Sequence, residues 1–117
     1  MKTGNEGHSQ SSFRIISETA HGYIGKCECC HQYNFVFNNL LISFLEDELI
    51  NFLDWLQGSR YSNDTCISLY NGRDRVYTSL HSNLFLTFSD GELNDIEQMT
   101  VEVKLMIEAS HALRRIG

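Results

Sequence analysis

The chain repeats itself at an interval of 44 residues. Asn39-Leu40-Leu41-Ile42-Ser43-Phe44-Leu45-Glu46-Asp47-Glu48-Leu49-Ile50-Asn51-Phe52, laid over Asn83 to Ile96, gives five identical and six similar pairs in fourteen positions. Upstream, the same offset sets Tyr33 on Tyr77 and Val36 on Leu80, and lays Cys27 to Cys30 over Asn71-Gly72-Arg73-Asp74. Shared residue types at any strand-to-helix junction are the competing explanation. Two copies are too few for a solenoid, which stacks at least three units, so a duplication here implies one pseudo-symmetric domain. A chain of 117 residues also has length for one core and not two. With no proline anywhere, every turn falls to Gly, Asn, Asp or Ser.

Each copy reads as a meander followed by a helix. In the first, Tyr23 to Lys26, Tyr33 to Phe37 and Leu40 to Phe44 are rich in aromatic and β-branched residues. The cysteine tip separates the first two, and Asn38-Asn39, which tolerates positive φ, suits a tight hairpin between the others. In the second copy, Cys66 to Tyr70, Val76 to Leu80 and Leu84 to Phe88 are separated by Asn71 to Asp74 and by His81-Ser82-Asn83. Alternation puts Tyr33, Phe35 and Phe37 on one face, Leu40, Ile42 and Phe44 on one face, and Leu84, Leu86 and Phe88 likewise, as core candidates. A further strand at Phe13 to Ser17 fits Phe13 and Ile15 facing inward, although Ile16 breaks the alternation. The first helix, Leu45 to Gln57, spaces Leu49, Phe52, Leu53 and Leu56 on one side, with Gly58 as a left-handed stop. The second opens at Ser89-Asp90-Gly91-Glu92, a capping box in which the Ser hydroxyl and the Glu carboxylate each serve a free backbone amide. Nothing from Glu92 to Ile116 must break it, which gives a helix about 37 Å long. The expected fold is therefore α+β: a duplicated strand-strand-strand-helix unit forming an antiparallel meander sheet with two helices packed on it. A polar tail over residues 1–12, expected to be disordered, precedes an expected single domain over 13–117, with pseudo-repeats at about 22–58 and 66–116.

Nine Lys and Arg against fifteen Asp and Glu leave a net charge of -6, which repels a phosphate backbone and argues against nucleic acid as a partner. Arg60, Arg73 and Arg75, interleaved with Asp64 and Asp74, read as a solvated surface. No apolar run approaches the roughly eighteen residues of a membrane span, and the first twelve residues do not resemble a signal peptide, so a cytoplasmic protein without a membrane partner is expected. Reduced cysteines follow from that compartment.

Three of the four cysteines crowd into Cys27-Glu28-Cys29-Cys30, with His31 next and His21 nearby. A Cys-x-x-Cys turn aims two sulfurs at one point, which is half of a tetrahedral zinc site. Cys27, Cys30, Cys29 and His31 are the candidate ligands and zinc the candidate cofactor; His21, Cys66 or a second subunit would complete the set. Incidental thiols and a redox or nucleophilic thiol remain open beside it, the last aided by Lys26 as a weak pKa depressor. The tip is expected to be dispensable for folding, because the other copy makes the same turn with Asn71 to Asp74. No motif specifies a catalytic residue. Glu46-Asp47-Glu48 lies in a first helical turn and complements its dipole, while His111 suits the negative end of the second helix. His8 falls in the tail and His81 in a turn.

The second helix carries more apolar surface than one sheet can cover. Ile96, Met99, Val103, Met106, Ser110 and Leu113 form the stripe expected to face the core. Val101, Leu105, Ala109, Ala112 and Ile116 form another, displaced around the axis, which either a second packed layer or an oligomer interface would bury.

With Cys27 and Cys30, then Tyr33-Asn34-Phe35-Val36-Phe37-Asn38-Asn39-Leu40, and Leu86-Thr87-Phe88-Ser89-Asp90-Gly91-Glu92-Leu93, the chain resembles a family of small uncharacterised bacterial proteins, a domain of unknown function, over about Gly22 to Leu113. The resemblance implies a fold boundary and no substrate. The leading reading is a non-enzymatic interaction or regulatory module, homo-oligomeric, as a dimer, with any other protein partner unspecified. The alternative is a zinc- or thiol-dependent protein centred on Cys27 and Cys30.

Overall fold

A computed structural model of the full chain describes residues 13–62, 69, 71–79 and 83–116, with Ile116 described by its backbone alone. The elements are β1 (Phe13–Glu18), β2 (Gly22–Cys27), β3 (Tyr33–Phe37), β4 (Leu40–Phe44), α1 (Glu46–Gly58), β5 (Arg75–Thr78), β6 (Phe85–Phe88) and α2 (Asp90–Ile116). The fold is α+β, with an antiparallel four-stranded meander in the order β1-β2-β3-β4, a second sheet of β5 and β6, and two helices. The polar tail and the expected strand Cys66 to Tyr70 lie outside the described residues, apart from Leu69, and so do Leu80, His81 and Ser82. Two compact units partition the chain: Met1–Ile50 with Met99–Gly117, and Asn51–Gln98.

In the first unit, sequence alternation becomes burial directly. Tyr33, Phe35 and Phe37 are buried while Asn34 and Val36 between them are only partly so. Phe35 faces Ile24 on one side and Ile42 on the other, and Phe37 faces Leu40, so one face of the sheet collects the large apolar side chains. Leu49, Met99 and Val103 belong to the same unit and are fully buried. Asn38 supplies the left-handed residue, at φ 55°, that turns β3 into β4. At the edge, β1 departs from simple alternation: the register shifts between Ile15 and Ser17, so Ile16 is the extra residue of a bulge. The bulge leaves Ile15 exposed, where alternation had placed it inward, and turns Ser17 into the interior, where its hydroxyl donates to the Glu102 carboxylate.

In the second unit, Tyr77 is the centrepiece. Its ring makes edge contacts with Trp55 at 5.1 Å and Phe88 at 6.0 Å between centroids, and its hydroxyl donates to the Leu56 carbonyl at 2.6 Å. Leu53, Leu56, Leu93 and Ile96 complete the core. Leu84, expected in the core, is exposed because β6 begins one residue later, at Phe85.

The 44-residue repeat holds through the last strand and the helix start and then slips. Helices α1 and α2 begin at corresponding residues, Glu46 and Asp90. Yet Phe88 pairs with Arg75, whereas its counterpart Phe44 pairs with Tyr33, so β5 is displaced by two residues. A two-residue slip preserves the faces, since side chains alternate with period two. Helix ends differ from expectation as well. Gly58 is the last residue of α1 and not a left-handed stop beyond it, and the Ser59 amide still donates to the Trp55 carbonyl at 3.0 Å.

Two glycines predict opposite responses to the same change. At Gly22 a Cβ would lie 2.0 Å from the Val36 carbonyl oxygen and 2.8 Å from the Phe37 Cα, both backbone atoms that cannot yield. Gly22→Ala should destabilise the protein by about 1–3 kcal/mol. At Gly58 nothing lies within 4 Å of an added Cβ. There Gly58→Ala should stabilise it by about 0.5–1 kcal/mol, because helical glycine loses more entropy on folding. Denaturant melts of the two variants check both signs.

Candidate functional site

The β2–β3 hairpin closes with the Cys27 amide donating to the Gln32 carbonyl and the His31 amide to the Cys27 carbonyl, each at 2.8 Å. Within this closed tip the Cys30 amide points at the Cys27 sulfur, 3.4 Å away. Cys27 is buried and Cys29 and Cys30 are exposed, all three as thiols. A hydrogen bond with the Cys27 thiol, above all, pushes the Cys30 pKa up, and a backbone hydrogen bond with Gln32 opposes it. Cys30 therefore lies against the Cys27 sulfur at the tip. His31 takes φ 60°, a left-handed conformation that costs a non-glycine residue about 1–2 kcal/mol.

Other predicted ligands are placed as follows. Cys29 and His31 flank the pair and are exposed. His21 stands at the far end of β2, against the Phe37 ring at 6.0 Å, with the six residues of the strand between it and the tip. Cys66 lies outside the described residues. Among the described residues no group of three His, Cys, Asp or Glu side chains forms a metal cluster. Lys26 is not poised on a sulfur: its ammonium lies over the Tyr33 ring, 5.6 Å from the centroid.

Glu46 has a role that the sequence reading missed. Expected only to complement the α1 dipole, it also accepts a hydrogen bond from the Tyr33 hydroxyl at 3.2 Å and faces His111 Nε2 at 2.8 Å. Burial first, and then the Glu46 carboxylate, push the Tyr33 pKa up to about 12. His111, placed by sequence near a helix end, is thus tied back to the start of the other helix. The signal available was the repeat itself, which sets an acidic residue first in both helices.

Arg60, Arg73 and Arg75 are likewise not a solvated patch. Arg60 is 4% exposed and its Nη2 donates to the Asp90 carbonyl at 2.8 Å and to Asn94 Oδ1 at 2.7 Å. Arg73 forks onto the Glu92 carboxylate at 2.9–3.0 Å, and Arg75 Nε reaches Asp90 at 3.2 Å. Glu92 at the same time completes the expected capping box, accepting from the Ser89 amide at 2.9 Å while its own amide donates to the Ser89 hydroxyl at 3.1 Å. The group organises the acidic start of α2.

Farther along α2, Val101, Leu105 and Ala109 are exposed, at 54% and 62% for the first two, and Ala112 is half-buried. The Ile116 side chain lies outside the described residues. Met106 and Leu113, expected in the core, are exposed too. At 100° per residue Leu113 falls roughly 100° from Ile96, off the buried face that Ile96, Met99, Thr100 and Val103 define, while Met106, roughly 20° beyond Met99, sits at the margin of that face. Leu105, Glu108, Ala109, His111, Ala112 and Arg115 line a shallow groove of about 550 Å³.

A hairpin tip of paired thiols, a helix-start carboxylate bridging a strand and a second helix, and a bare apolar helix face define no reaction class. The chain belongs to the Family of unknown function (DUF6686), whose model matches residues 9–112. No curated protein matches the chain, and no solved structure does. No helix among the described residues is long and apolar enough to cross a membrane.

The Tyr33 shift sets a pH dependence. A phenol that ionises near 10 when unfolded and near 12 when folded favours the folded state fully below pH 10 and loses that contribution as pH rises through 12. Ultraviolet titration of the wild type against Tyr33→Phe should show one tyrosine ionising near 12. Glu46→Gln should lower that value only part of the way, since burial is the larger cause. A Tyr33 that titrates at its ordinary value would refute the Tyr33–Glu46 contact.

Proposed function

We propose that the protein is a small non-enzymatic interaction module of the cytoplasm that works as a homodimer through the outer face of α2. The observation that carries this reading is the exposed stripe of Val101, Leu105 and Ala109, which lies opposite the buried face of the same helix. Ala109 and Ala112 leave a shallow seat beside Leu105. A second copy fits that seat because the stripe is flanked by Lys104 and Glu108, of opposite charge, four residues apart. Antiparallel two-fold pairing sets Leu105 of each chain between Leu105 and Ala109 of the other. In that register Lys104 of one chain meets Glu108 of its mate, twice by symmetry. Burying a stripe of Val, Leu and Ala recovers several kcal/mol at about 25 cal/mol per Å². Three thiols at the hairpin tip suit a reducing compartment.

Leu105→Glu should convert the dimer to a folded monomer. It weakens the contact by on the order of 100-fold or more, since one large apolar side chain is lost from each chain at about 1.5–3 kcal/mol apiece. Lys104→Glu alone should weaken it less, and Lys104→Glu with Glu108→Lys should restore it. Light scattering at micromolar concentration reads all three. Wild-type protein that is monomeric there, or that forms a complex indifferent to Leu105, would overturn the proposal.

A further inference from the structure

The β2–β3 tip has a second property, independent of the α2 face. In the closed hairpin the Cys30 amide donates to the Cys27 sulfur at 3.4 Å, and the chain reverses immediately after Cys30 through a left-handed His31. An amide aimed at sulfur donates to the negative charge that a metal-bound sulfur carries. The same turn sets Cys30 against the Cys27 sulfur, with Cys27 buried and Cys30 open to solvent. A left-handed non-glycine residue is strained, and here the strain sits next to the pair that it helps to aim. We infer that the tip is a binding site for a thiophilic d¹⁰ cation, held by the Sγ atoms of Cys27 and Cys30.

The ligand set among the described residues is two sulfurs. Among the described residues no third His, Cys, Asp or Glu joins them in a metal cluster. Hard cations prefer oxygen ligands, whereas Cu(I), Zn(II) and Cd(II) accept thiolates. Cu(I) is satisfied by the two sulfurs alone; zinc takes four ligands, which the pairs of two chains would supply together. Binding forms two sulfur–metal bonds and releases two protons to solvent, one from each thiol, with no change of oxidation state.

The test is an anaerobic titration of the reduced full-length protein with Cd(II), a spectroscopic stand-in for zinc, and separately with Cu(I), read by the sulfur-to-metal charge-transfer absorbance. The expected result is a stoichiometric band at micromolar protein that Cys27→Ser and Cys30→Ser each abolish and Cys29→Ser leaves in place. One Cd(II) per two chains identifies the zinc-type site shared between copies, and one Cu(I) per chain identifies the two-coordinate site. No band with either cation, or a band that survives loss of Cys27 and Cys30, overturns the assignment. Alkylation of the wild type supplies a measurement that needs no variant. Bound cation should protect Cys30 while Cys29 reacts, and equal reaction of both would overturn the site.

Discussion

Both helices start from a carboxylate that is fastened to the strand behind it. In the first half the strand residue facing Phe44 is Tyr33, and its hydroxyl donates to Glu46, the first residue of α1. In the second, the residue facing Phe88 is Arg75, and its guanidinium donates to Asp90, the first residue of α2. Cap geometry repeats as well: the Leu45 amide donates to Glu48 and the Ser89 amide to Glu92, each at 2.9 Å. These ties fix where each helix leaves its sheet, and the placement of every buried helical residue follows from that direction. The acid also complements the helix dipole, so one side chain serves the backbone and the fold at once.

The two ties differ in physical character. Tyr33 is 2% exposed, so its neutral hydroxyl meets Glu46 in a setting that disfavours any further charge, which is the cause of its raised pKa. Asp90 is largely exposed beside Arg75, and such an ion pair in water contributes little by itself. The second unit compensates with Arg60, which holds the Asp90 carbonyl and Asn94 from the interior. What the repeat keeps is the position of the acid. Its donor is free to change.

Much of this architecture is legible from the chain. Strict alternation and Asn38 specify the β3–β4 hairpin, and Ser89 with Glu92 specifies the start of α2, because each depends on residues close in sequence. The bulge at Ile16 was visible only as a broken alternation, and a bulge is one of several ways to break it. Burial of Arg60 was not legible. A guanidinium goes inside only when its acceptors are assembled around it, and here they arrive some thirty residues later on another element. The Tyr33–Glu46–His111 contact was hidden for the same reason, since periodicity says which face a residue occupies and not which distant partner it meets. At the cysteine tip the sequence placed Cys27 and Cys30 in one hairpin turn, where the Cys30 amide reaches the Cys27 sulfur. It could not indicate that Cys29, His31 and His21 would stand apart from a common cluster.

The first unit is assembled from two separate stretches of chain, Met1–Ile50 and Met99–Gly117. Its four strands follow one another through short turns, and hairpins of that kind form within microseconds of becoming available. Met99 and Val103, buried in the same unit, are made about fifty residues after the last strand of the meander. At ordinary rates of synthesis that is a wait of roughly several seconds, during which the meander lacks the buried α2 residues of its own unit. An unfinished sheet with an apolar face invites capture by chaperones or by other nascent chains. The order in which residues leave the ribosome thus makes α2 the element that completes this unit, and a chain that stops short of Met99 leaves the unit unfinished.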